Sequence, residues 1–190
     1  MKKWLGTVII PLLLLLTCQS VQAQKEVPEP KFGQYAVGDD YFLANYSQLQ
    51  DYWARLAQAS ERIRIVEIGK SAEGRPMIMA IITSPENHKK LARSQQIAQT
   101  LARAEGVTDD QARAMAAEGK AVVWIDGGLH GTEVTGAQQL FTMSYQMASQ
   151  NDAETTRILN DVILLLVPVN PDGMELVSNW YMREADPMKR

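Results

Sequence analysis

Cysteine is almost missing from this chain. The single one, Cys18, lies inside the first two dozen residues. With residues 1–23 removed no thiol is left, which excludes disulfides and thiolate ligands, so any bound metal must rest on histidine and carboxylate. Histidine is nearly as scarce: 2 in 190 residues, His88 and His130. A second long apolar run is also lacking. Trp4 to Leu16 is the only one, it follows Lys2 and Lys3, and it is too short to span a bilayer. Nothing downstream approaches its length, so no membrane span is expected. An excess of positive charge is absent too. Without the two leading lysines, 17 basic residues of the 19 stand against 22 acidic ones, a formal −5, which argues against nucleic acid as a partner.

The start of the chain is an export signal in order: a basic Lys2-Lys3, the apolar core ending in consecutive leucines, and Val21-Gln-Ala23 offering a cleavage site before Gln24. A periplasmic or extracellular protein is expected. Lipidation would need Cys18 as the new N-terminus, and Leu15-Leu-Thr17 lacks the small residue expected beside it. The organisation read from the sequence is a signal at 1–23, an extended lead-in at 24–40 and one domain at 41–190.

Within that domain, Tyr46 to Ala59 has Leu49, Tyr52, Trp53 and Leu56 on one face, with Asn45 as a cap. Arg62 to Gly69 alternates, Ala72-Glu-Gly-Arg75 makes a turn, and Pro76 to Thr83 is more apolar, so an antiparallel hairpin is predicted. Ser84 and Pro85 open a helix running to about Glu105, and Thr108-Asp-Asp-Gln111 is a capping box for another that Gly119 ends. These two helices read as a mostly solvated insertion. Ala121 to Ile125 reads as a buried strand, and Val134, Ala137, Leu140, Phe141, Tyr145 and Ala148 recur at helical spacing. A further short helix starts at Asn151–Glu154. Val162 to Val167 is apolar on both faces, as central strands are, and runs into Asn170-Pro-Asp-Gly173, whose residues suit a type I turn. The fold class is α/β: a three-layer α/β/α sandwich with a mixed, mostly parallel sheet.

Between the strand at 121–125 and the helix from Val134 lies Asp126-Gly-Gly-Leu-His130-Gly-Thr-Glu133. Open α/β sheets place ligands at such an edge. A histidine and a glutamate three residues apart can turn toward one point and offer a divalent ion a nitrogen and an oxygen, a donor pair that zinc accepts. The spacing alone is a weak signal, arising by chance about one time in ten at this composition. The flanking Gly127, Gly128 and Gly131 let the backbone approach closely. A capping or surface role for His130 is the plain alternative.

Three segments together resemble successive landmarks of the zinc carboxypeptidases: Gly69-Lys-Ser-Ala-Glu-Gly-Arg75-Pro76, Asp126 to Glu133, and Asn170-Pro-Asp-Gly173, in the right order and spacing. The resemblance covers about residue 40 onward and only the N-terminal half of that family's catalytic domain. It implies that His130 and Glu133 are the first two ligands of one Zn2+. It further implies that the third ligand, a histidine, and the general base, a glutamate, lie downstream of residue 190, so this chain is read as a fragment, inactive by itself. The family's oxyanion arginine follows Asn-Pro-Asp-Gly; Arg183 is the nearest match and Arg190 the second. Thr132 stands where digestive members often have arginine. His88, in a charged helical turn, reads as a solvated surface residue. The implied activity is hydrolysis of a C-terminal peptide or amide bond, with a peptide or amino-acid conjugate as substrate. Two alternatives remain at this point. Zinc deacylases of N-acylated amino acids carry a similar Gly-Gly-x-His-Gly-x-Glu loop, and a chain genuinely ending at residue 190 would be a catalytically dead binding module.

Overall fold

The structure is a computed structural model that describes residues 26–190. The export signal, with its expected cleavage before Gln24, lies outside the described residues. The lead-in is more than extended chain: β1 (Lys31–Phe32) and β2 (Tyr35–Ala36) pair antiparallel, with Gly33 at φ +62° in the turn. Aromatic packing holds this small hairpin in place. Tyr35 stacks on Phe42 at 5.1 Å between ring centres, and Phe32 meets Phe141 edge-on at 5.6 Å.

Helix α1 (Tyr46–Ala59) starts as predicted at Asn45, whose side chain accepts from Gln48 N–H while the Gln48 side chain returns to Asn45 N–H. It buries Leu49, Tyr52, Trp53 and Leu56, together with Tyr46. Strands β3 (Ile63–Lys70) and β4 (Pro76–Ile82) form the predicted antiparallel hairpin, in register Ile63↔Ile82 with an irregularity between Glu67 and Gly69. The helix predicted from Pro85 to Glu105 is two helices, α2 (Pro85–Lys89) and α3 (Leu91–Arg103). The Asn87 side chain explains the break. It donates to Thr83 Oγ1 and to the carbonyls of Leu159 and Asn160, so the first turn is fastened to the fold and α3 begins as a separate helix after Lys90. Helix α3 buries only Ile97 and α4 (Asp109–Glu118) buries nothing, as expected of a solvated insertion.

Strand β5 (Ala121–Gly127), α5 (Val134–Ser149), α6 (Ala153–Asp161) and β6 (Val162–Pro168) follow, then α7 (Pro171–Met182) and a 3-10 turn (Pro187–Lys189). The four-stranded sheet has the order β3-β4-β6-β5. It is mixed, as predicted, but the parallel majority is not found among the described strands: β3–β4 and β4–β6 are antiparallel and only β6–β5 is parallel. A tight turn forces the hairpin antiparallel, and only the helical crossover between β5 and β6 can return the chain in the same direction. Strand β6 is central, and Ile163 and Val167 are buried as well as Leu164 and Leu166. The prediction of a buried β5 is corrected. It pairs on one side only, and Val122 and Trp124 are 46% and 52% exposed. Helices α1, α5 and α7 touch one another through α1, and α5 lies against β5 and β6. Their meeting place is the core, where the Trp53 indole donates to Ser144 Oγ at 3.0 Å. Among the described residues no helix is long and apolar enough to cross a membrane.

Candidate metal centre

The loop between β5 and α5 is held close to the first turn of α5. A Cβ on Gly127 would stand 2.4 Å from the Gly136 carbonyl oxygen, and one on Gly128, already at φ +74°, would stand 2.8 Å from Ala137 Cβ. Only glycine permits that approach, so these two residues set how the loop leaves the strand. The loop then presents His130 and Glu133 outward, 68% and 70% exposed at the side chain, with His130 Nδ1 2.9 Å from Glu133 Oε2. Glu133 also marks the start of α5, although its side chain caps nothing.

Asn170-Pro-Asp-Gly173 is the first turn of helix α7 rather than a free-standing turn. Asn170 accepts from Gly173 N–H, and Pro171 takes the first helical position. A type I turn and the opening of a helix share the same backbone at these residues, which is why the two readings could not be separated by composition. From this turn two side chains reach outward to the other two landmark segments. Asn170 Nδ2 donates to the Leu129 carbonyl at 3.0 Å, one residue from His130. Asp172 accepts from Ser71 Oγ (2.8 Å), from Glu73 N–H (3.1 Å) and from Arg75 (2.6 Å). Gly131 lies against Gly173, where a Cβ would meet Gly173 Cα at 3.0 Å. The three segments are thus one assembly, with the start of α7 as its clip. Burial pulls the Asp172 carboxyl upward, but the hydrogen bonds from Ser71, Arg75 and the Glu73 backbone together outweigh it and hold the group below the usual carboxylate range. The sequence reading took these segments as markers and missed their mutual bonding. The helix-start pattern Asn-Pro-Asp was the signal that could have shown it.

The donor pair fits a zinc ion. Nitrogen and oxygen ligands about 2.1 Å from a tetrahedral ion are roughly 3.4 Å apart, so the 2.9 Å pair needs to open by only a few tenths of an ångström. Among the described residues no group of three metal-binding side chains forms, so the pair stands as two donors. Arg183 closes α7 as an exposed residue, beside Trp180, Tyr181 and Arg190 around a hollow of about 230 Å³. No hydrogen bond or ion pair links it to His130 or Glu133 among the described residues. The expectation for His88 is overturned. It is 3% exposed, and neither ring nitrogen has a hydrogen-bond partner. Helix α2 turns it inward, because Asn87 anchors that turn to the fold. Burial lowers its pKa, the Arg64 charge adds to the effect, and the nearby Arg62 backbone offsets it only in part.

A family model described as zinc carboxypeptidase matches residues 49–190 of this chain. Among solved structures, carboxypeptidase A from Helicoverpa armigera is similar at a TM-score of 0.50 and 20% identity, over 73% of this chain and 26% of that one. A metallo-carboxypeptidase from Burkholderia cenocepacia is similar at 0.46 and 21%, over 70% and 29%. At 20% identity the likeness to the Helicoverpa armigera enzyme speaks for the fold alone. The chain spans less than a third of the length of either structure.

Proposed function

Starting from the fact that this chain belongs to the zinc carboxypeptidase family, we propose that it supplies the His130–Glu133 half of a zinc site in an exported hydrolase that cleaves a C-terminal peptide or amide bond. The observation that carries this reading is the convergence of His130 Nδ1 and Glu133 Oε2 at 2.9 Å on a loop held by glycines and by Asn170. The third ligand and the general base belong, by the family resemblance, to residues beyond 190. The proposed organisation is a signal at 1–23, a lead-in at 24–40 and the first part of the catalytic domain at 41–190. Periplasmic or extracellular location follows from the signal, and N-terminal sequencing that finds Gln24 first would support it.

Bound zinc would supply Lewis acidity and a water of lowered pKa. The chain's own contribution is positioning. Without the ion, His130 and Glu133 are within hydrogen-bonding distance of each other. Were the ion held through Nδ1, the imidazole proton would sit on Nε2. Gly127, Gly128 and Gly131 fix where the loop backbone runs, so the two side chains need little reorganisation. Arg183 is assigned the oxyanion role on the resemblance alone. The test is metal analysis of the protein with His130→Ala and Glu133→Ala. Each should weaken zinc binding by more than about a hundredfold while the melting temperature without metal stays close to the parent's, since both side chains are exposed. A His130→Ala protein that binds zinc as tightly as the parent overturns the proposal.

A further inference from the structure

His130 is held from both sides. The carbonyl of Leu129, the residue before it, accepts from Asn170 Nδ2, and Gly131, the residue after it, lies against Gly173. Both contacts come from the first turn of α7. Asp172 stands between Asn170 and Gly173 in that turn, and it bonds the turn between β3 and β4 instead. We infer that the β3–β4 turn is a positioning element for the His130–Glu133 pair, with Arg75 and Asp172 as positioning residues acting through the start of α7. Neither residue forms a hydrogen bond or ion pair with His130 or Glu133 among the described residues. The inference rests on the zinc reading above for the ion, while the coupling itself rests on the hydrogen bonds.

The β3–β4 turn presents a ready-made set of donors. Ser71 N–H donates to the Arg75 carbonyl at 2.9 Å, Gly74 N–H to the Ser71 carbonyl at 3.0 Å, and Arg75 N–H to Ser71 Oγ at 3.0 Å. Asp172 engages this set with both oxygens: Oδ1 accepts from the Ser71 hydroxyl and the Arg75 guanidinium, and Oδ2 from Glu73 N–H. Glu73 shares the same guanidinium. The Asp172 side chain is 19% exposed, and donors from three residues fix its direction as well as its place, which a single surface ion pair does not. Asn170 is as tightly constrained. Its Oδ1 accepts from Gly173 N–H at 2.8 Å while its Nδ2 serves Leu129, so one amide joins the helix start to the metal loop. A shift of this first turn therefore moves Leu129 and Gly131 together. The rest of α7 is anchored elsewhere, by Glu175 to Ser47, Asn179 to Asn45 and Ser178 to the Ala44 carbonyl. Those bonds run to the start of α1 and leave Asp172 as the link between the β3–β4 turn and the loop. Packed, hydrogen-bonded chains of this kind carry energetic coupling between separate sites.

The experiment measures zinc affinity of the full chain by calorimetry for the parent, His130→Ala, Arg75→Ala, Asp172→Asn and Glu175→Ala, and follows amide exchange without metal. Arg75→Ala and Asp172→Asn should each weaken zinc binding about three- to tenfold, within the range of coupling through such networks. Arg75→Lys, which keeps a cation beside Asp172, should recover part of the loss. Glu175→Ala frees the same helix from Ser47 without altering the β3–β4 turn, and it should bind zinc as the parent does. Without metal, the Glu133 amide, which donates to the His130 carbonyl at 3.0 Å, should exchange faster in Arg75→Ala and Asp172→Asn than in the parent. Where His130→Ala loses zinc, an unchanged affinity in the two turn variants, or a loss matched by Glu175→Ala, overturns the coupling and leaves the metal site standing. Where His130→Ala binds zinc like the parent, the metal site falls and the Glu133 amide alone decides. Faster exchange in the turn variants then upholds the coupling, and unchanged exchange overturns it.

Discussion

The two histidines occupy opposite kinds of place. His130 stands on a loop, 68% exposed at its side chain and 2.9 Å from a carboxylate. His88 is 3% exposed on a five-residue helix, with both nitrogens unpartnered. In the first region the side chains are free to meet a ligand and the rigidity is in the backbone beneath them. In the second the backbone turn is anchored by Asn87, and the imidazole is drawn inside as a consequence. The exposed pair is therefore positioned by glycines and clips rather than by burial of its side chains, while the buried histidine leaves two polar atoms unpaired.

Removing the support of the exposed region should have the largest effect. Gly127→Ala places a methyl group against the Gly136 carbonyl and should destabilise the fold by about 3 kcal/mol, read as a lower midpoint in urea, with zinc affinity falling in the same variant. A midpoint equal to the parent's would show that β5 and α5 are not in the contact described. Charging the buried region comes next. The folded-state pKa of His88 is lowered from 6.5, so the unfolded chain binds the proton more readily. The protein should lose stability as pH falls below about 6.5, and the loss should level off once the folded-state pKa is passed. His88→Leu should abolish that part of the acid dependence and leave stability at neutral pH unchanged or raised by about 1 kcal/mol, because two unpartnered buried nitrogens are gone. An unchanged slope of melting temperature against pH between the parent and His88→Leu would end the contrast. The smallest effect sharpens the comparison by its absence. Thr132→Ala, between the proposed ligands and exposed, should keep the parent's zinc content and melting temperature.

What could be read from the residues was whatever short-range chemistry controls. The cap at Asn45, the capping box at Thr108, the β3–β4 hairpin and the two-sided apolar pattern of β6 all follow from neighbours in sequence, and each is present in the fold. The misreadings share one cause, which is dependence on distant partners. Asn87 breaks a helix because of Leu159 and Asn160. Val122 and Trp124 look like core residues, and their exposure depends on which strand lies beside β5. His88 has charged neighbours in sequence and is nonetheless buried in the fold. At the site, the His130–Glu133 pair was legible because its spacing is local. The role of Asn170 and Asp172 was not, because their partners lie far back in the chain.

That distance also has a bearing on time. Asn170 follows the Leu129 carbonyl it binds by 41 residues, and Asp172 follows Ser71 by 101. At a synthesis rate of about 5–20 residues per second, the histidine and glutamate emerge roughly 2–8 s before the residue that fixes their loop. In that interval the loop that carries them is without the hydrogen bond from Asn170 and the close approach of Gly173 to Gly131. The order in which the chain is made thus sets when the two side chains can be fixed in place.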